Sequence, residues 1–193
     1  MSKASLFFQT GFQHLLDFQA YDHMLFLFAI CLPYGMKDWK RLVGLATAFT
    51  VAHSITLAAA VFGFIPLSTG VIEFLIAMSI LVCAIGALIW RNGGKKQSFW
   101  LQYSIIGLFG LIHGMGFSTL LRALLGREED VWQPLLFFNL GLEVGQILFI
   151  LVILLSHFLL VRTQLIKQNN WTIFWSGAIS SLAFVMMLEN KFW

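Results

Sequence analysis

The chain has 193 residues, about one domain's worth of protein, with 59% hydrophobic and only 11% charged residues and a mean hydropathy of +0.84. Soluble domains are roughly a quarter charged, so this chain cannot coat a water-facing surface, which excludes a soluble enzyme, a nucleic-acid binder and a disordered protein. The net charge of +3 is no nucleic-acid footprint either, because the basic residues sit in short gaps between apolar runs.

Uncharged runs of about 20 residues, the length that crosses ~30 Å of hydrocarbon, predict an all-α polytopic membrane bundle of six transmembrane helices. The whole of 1–193 reads as a single integral membrane domain. Ahead of the spans, Ala4–Gln19 reads as an amphipathic leading segment, a candidate seventh, short helix lying along the interface. It is too short and too broken by polar residues for a cleavable signal peptide. The first span ends at Leu32 and begins at Phe12 or at Tyr21, because Asp17, Asp22 and His23 interrupt it. The second is Val43–Ile65, the third Val71–Trp90 with Glu73 near its start, and the fourth Phe99–Leu121. The fifth is Leu135–Val161 and the sixth Trp171–Leu188. Pro33, Pro66 and Pro134 fall at boundaries, where a missing N–H costs least. Trp39, Trp90, Trp100, Trp132 and Trp171 cluster at segment ends, as an aromatic belt requires. Cys31 and Cys83 lie inside apolar stretches and read as small buried hydrophobes.

Orientation follows from the basic residues. The connections after spans one, three and five carry Lys37, Lys40, Arg41, Arg91, Lys95, Lys96, Arg162 and Lys167. The other side holds Lys3, Arg122, Arg127 and Lys191. The positive-inside bias puts both termini outside the cytoplasm.

Ionisable groups inside a bilayer are costly and mark function by default. Here they are Asp22 and His23 in span one, His53 in span two, Glu73 in span three, His113 in span four and Glu143 in span five. At ~1.5 Å of rise per residue, His113 and Glu143 lie roughly 12 Å below the outer ends of their helices and His53 ~18 Å below. These groups can meet in the outer half of the membrane. Asn139, Glu143 and Gln146 form one polar stripe on span five, and Thr50, His53 and Thr56 another on span two, with Ser54 alongside. Gly107, Gly110 and Gly114, and the pair Gly141 and Gly145, provide faces for close helix approach. Three imidazoles and a carboxylate suit a borderline divalent cation such as Zn²⁺, Ni²⁺ or Co²⁺. His23, His53, His113, Glu143 and Asp22 are therefore the candidate ligands. Asn139, Gln146, Thr56, Glu73 and His14 are the candidate supporting residues. His157, alone on an apolar run, reads as structural.

At these residues the sequence resembles the HupE/UreJ family of small bacterial membrane proteins. The resemblance rests on Gly11-Phe12-Gln13-His14, Asp22-His23-Met24-Leu25-Phe26 and Phe49-Thr50-Val51-Ala52-His53-Ser54-Ile55-Thr56-Leu57. It continues through Glu73-Phe74-Leu75-Ile76-Ala77-Met78-Ser79-Ile80, Gly110-Leu111-Ile112-His113-Gly114-Met115-Gly116-Phe117 and Phe138-Asn139-Leu140-Gly141-Leu142-Glu143-Val144-Gly145-Gln146. Ala20 stands where the family pattern expects a glycine. The resemblance implies a nickel or cobalt permease of the bacterial inner membrane, whose partners are the metal ion and the lipid bilayer.

Two function classes follow. A permease would take a cation from the outer face, with the acidic Glu128, Glu129 and Asp130 nearby, and release it inward. A membrane-embedded zinc hydrolase acting on a lipid or a transmembrane peptide would use the three histidines as ligands and Glu143 or Asp22 as base. Ser54 or Asn139 would then stabilise an oxyanion. The near-apolar inner stretches Val43–Phe49, Leu81–Ile89 and Ile147–Leu155 favour a fixed site over a conduit, whereas the resemblance favours transport. A metal sensor or assembly factor is a third reading.

Overall fold

A computed structural model of the chain describes residues 2–17, 21–64, 68–90, 98–117, 121 and 131–192. Ala20, Pro66, the basic residues Arg91, Lys95, Lys96, Arg122 and Arg127, and the acidic run Glu128 to Asp130 lie outside the described residues.

The described residues are helical, with no strand among them. In chain order they form α1 (Lys3–Leu16), α2 (Asp22–Cys31), a 3₁₀ turn (Met36–Asp38), α3 (Trp39–Val61) and α4 (Thr69–Trp90). Then follow α5 (Phe99–Gly116), α6 (Trp132–Arg162) and α7 (Gln168–Glu189). Local chemistry sets several of these boundaries. Ser2 caps α1 by accepting a hydrogen bond from the Ser5 N–H at 3.2 Å. The 3₁₀ turn leading into α3 is closed by the Gly35 N–H donating to Asp38 Oδ2 at 3.1 Å. Pro134 sits in the first turn of α6, where its missing N–H has no intrahelical acceptor to lose.

Among the described residues four helical stretches, not six, are long and apolar enough to cross a membrane: Met36–Ala59, Thr69–Trp90, Trp132–Arg162 and Gln168–Glu189. The first expected span fails because Asp22 and His23, which only interrupt an apolar run in the sequence, are the first residues of α2. That helix has 10 residues and rises ~15 Å, half of a ~30 Å core. It stops beside Pro33, which cannot continue the backbone ladder. The fourth expected span is helical over 18 residues, Phe99–Gly116, and Gln102, Tyr103, Ser104 and His113 dilute its apolar character.

The leading segment is a helix, as read, but it packs on a neighbour. α1 lies along α6, and the contact depends on two glycines. A Cβ on Gly11 would overlap the Phe138 carbonyl oxygen, and one on Gly141 would overlap that of Phe8. Gly145 receives Leu15 and Phe12 in the same groove. α5 approaches α3 equally closely, with Gly114 against the His53 carbonyl and Gly110 against that of Phe49. Gly107 faces open space. Phe26, Phe49, Phe138, Leu45, Leu57 and Ile76 fill the centre. Trp39, Trp100 and Trp132 are exposed at helix starts, consistent with a belt. Trp171 departs from it, buried among Phe28, Trp175 and His157. Cys31 is buried, Cys83 half-buried, and both are free thiols.

Candidate metal centre

Three helix ends converge on one point. His14 is in the last turn of α1 and His113 in the last turn of α5, while Asp22 and His23 open α2. An acidic group at the start of α2 and a cation held at the ends of α1 and α5 are the placements that backbone dipoles favour; His23, at the start of α2, is not so placed. The α1–α6 and α3–α5 glycine contacts bring these ends close enough for their side chains to meet. His53 joins from the middle of α3.

The distances define a compact group. Asp22 Oδ1 lies 3.3 Å from His23 Nδ1, and Asp22 Oδ2 lies 4.0 Å from His113 Nδ1. One ligand atom from each of Asp22, His23 and His113 falls within 4.8 Å of the others, a spacing that can hold a metal ion. The His23 ring is the hub: its centroid is 4.7 Å from that of His14, 5.0 Å from His113 and 5.6 Å from His53. His53 and His113 are both fully buried.

The hydrogen-bond bookkeeping is unusual. Both nitrogens of His53, Nε2 of His14 and His23, and Nδ1 of His113 are buried without a hydrogen-bond partner. Buried polar atoms are normally paired. A cluster of bare imidazole nitrogens beside a carboxylate is the donor set of a transition-metal site.

Ser79 on α4 bears on the tautomer of His113. Its hydroxyl donates to the Ile76 carbonyl at 2.7 Å, and its oxygen lies 2.9 Å from His113 Nε2. A hydroxyl has one proton. With that proton on Ile76, Ser79 accepts from Nε2–H, and the ring's lone pair is left on Nδ1, facing Asp22. A ligating histidine commonly donates its other N–H in this way. Ser79 stands in one of the blocks quoted above but carried no role there.

The group borders a cavity of about 450 Å³ lined by Asp22, Glu73, Glu189, Asn190, Tyr21 and Met186 among others. Among the described residues three carboxylates and no lysine or arginine line it, a lining that favours cations beside the histidines. Glu73 thus stands at the approach to the group. Glu189, the last residue of α7, carries no motif that singles it out in the sequence.

The remaining candidates fall elsewhere. Glu143, half-buried, is not in the group of Asp22, His23 and His113; its Oε1 accepts from the Thr47 hydroxyl at 2.6 Å. Gln146 Oε1 accepts from the Thr50 hydroxyl at 2.8 Å in a buried contact. His53, Thr50 and Thr47 descend α3 in steps of ~4.5 Å, so a polar line runs from the histidines to Glu143. Thr47 lies in a stretch whose sequence reads as apolar. Thr56 donates to its own helix, to the His53 carbonyl at 3.2 Å and the Ala52 carbonyl at 3.4 Å. Ser54 donates to the Thr50 carbonyl at 2.7 Å, and Asn139 Nδ2 to the Leu135 carbonyl at 2.7 Å, leaving its Oδ1 buried and unpartnered.

The family model described as HupE / UreJ protein matches residues 1–190. No curated protein and no solved structure matches the chain.

Proposed function

The chain belongs to the HupE/UreJ family, and on that premise we propose that this membrane protein carries a divalent transition-metal ion, nickel or cobalt before zinc, across the bacterial inner membrane. The observation that carries the metal reading is the buried group of Asp22, His23 and His113 with its bare ring nitrogens. His14 and His53 stand close enough to His23 to exchange with these ligands during passage. With both termini outside the cytoplasm, the carboxylate-lined cavity is the outer mouth. Transport is favoured over a fixed site by the polar line below the histidines, Thr50 with Gln146 and Thr47 with Glu143. On that line Glu143 is the next anionic station for the ion, rather than a simultaneous ligand.

The zinc-hydrolase reading retains one supporting observation. Asp22, His23 and His113 offer three ligand atoms, the number that leaves a catalytic metal one open position. Uptake by sealed vesicles separates the two readings. The permease should accumulate Ni²⁺ or Co²⁺, and Asp22→Asn and His113→Ala should abolish uptake. Wild-type vesicles that bind these ions without moving Ni²⁺, Co²⁺ or Zn²⁺ would overturn transport.

A further inference from the structure

At the other end of the bundle from the histidines, a groove runs between α4 and α5, with α2 and α3 behind it. α5 packs mainly on α3 and α4 mainly on α7, which leaves this seam open. Ile30, Leu45, Val82, Ala87, Ile106 and Phe109 line it, and its polar groups are confined to one end, where Tyr34 and Gln102 stand. Val82 and Leu108, on the helices flanking the seam, are about half exposed, so the groove lies against the surface that faces lipid.

Arg41 is at the polar end. Its Nη2 donates to Gln102 Oε1, which also accepts from the Tyr34 hydroxyl at 3.0 Å. The guanidinium lies over the Tyr34 ring at 5.4 Å, and its Nε is buried without a partner. No carboxylate pairs with it among the described residues. Asp38, one helical turn away, is bonded to the Gly35 N–H. A guanidinium near hydrocarbon held only by an amide oxygen and an aromatic face has an uncompensated charge, and such a charge calls for an anion. The planar fork suits a phosphate in particular.

An apolar slot ending at an unpaired arginine is complementary to an anionic amphiphile. We propose that the groove holds one anionic phospholipid from the adjoining leaflet, with an acyl chain between α4 and α5 and its phosphate on Arg41.

The test is native mass spectrometry of the delipidated full chain, titrated with phosphatidylglycerol, phosphatidylcholine or inorganic phosphate. One phosphatidylglycerol should bind, at least about fivefold more tightly than phosphatidylcholine, the preference expected from one basic residue at a membrane surface. Inorganic phosphate alone should not be retained, because it lacks the chain that fills the groove. Arg41→Gln should erase the preference for phosphatidylglycerol while leaving bound metal unchanged. Ala87→Phe, which fills the slot, should weaken both lipids. Equal binding of the two lipids by the wild type overturns the proposal, as does an Arg41→Gln protein that keeps the preference. The wild-type comparison decides even if a variant does not fold.

Discussion

Each end of the bundle buries a histidine, and the two are placed in opposite company. His113 Nε2 lies 2.9 Å from the Ser79 oxygen and Nδ1 turns towards Asp22, with the His23 ring 5.0 Å away. His157 is bonded through Nε2 to Gln168 and lies against Trp171, and its Nδ1 is also buried and unpartnered. One bare nitrogen therefore marks nothing by itself. At the first end several such nitrogens converge on a carboxylate and a cation-attracting cavity. At the second, a lone imidazole is packed among aromatic rings and an amide, with no carboxylate bonded to it among the described residues. Convergence of donors, rather than burial, makes the first end the candidate metal centre.

Removing a donor should break this contrast most strongly. His23→Ala or Asp22→Asn should lower divalent-metal affinity by more than about a hundredfold, since outer hydrogen-bond partners alone are worth ~10–100-fold. Equilibrium dialysis of purified variants measures this directly. Ser79→Ala should cost less, roughly tenfold or more, because His113 remains but its tautomer is no longer fixed. Ser79→Thr, which retains the hydroxyl, should recover part of the loss. A Ser79→Ala protein with unchanged affinity would show that the tautomer argument is wrong.

Proton competition sharpens the same comparison. The ligands bind metal as neutral imidazoles and an ionised carboxylate, so binding releases whatever protons they hold and must weaken as pH falls. Titration calorimetry in buffers of different ionisation enthalpy should report proton release that grows towards acidic pH. The smallest effect expected belongs to the polar line. Gln146→Ala and Glu143→Gln should keep equilibrium metal content but slow vesicle uptake, because these residues lie beyond the group and not within it. Loss of bound metal in Glu143→Gln would instead make Glu143 a ligand.

Much of the first end is legible in the sequence. Asp22, His23, His53 and His113 stand out because ionisable residues are rare in apolar helices. His14 is legible as a supporting residue, but its ring contact with His23 is not, because that contact depends on α1 settling into the Gly141 groove of α6. Ser79 is hidden for a different reason. A serine bonded to its own helix costs little in an apolar span and raises no alarm, and its partner is 34 positions away. Thr47 is hidden within apolar neighbours in the same way. Among the described residues the expected six spans fall to four because hydropathy averages over a window, whereas helix α2 starts abruptly at Asp22 and ends at Cys31, short of Pro33, and polar residues dilute α5. The lone Trp171 misleads similarly, since a tryptophan at a helix end reads as interfacial unless the aromatic partners that bury it are known.

The most direct test is metal stoichiometry, by mass spectrometry on wild type, His113→Ala and His157→Ala, each purified as a folded protein in detergent and loaded with Ni²⁺, Co²⁺ or Zn²⁺. One tightly held ion per chain is expected in the wild type and in His157→Ala, and none in His113→Ala. Retention of wild-type metal by His113→Ala, or its loss from His157→Ala, would contradict the assignment of the metal centre to the end where Asp22, His23 and His113 converge.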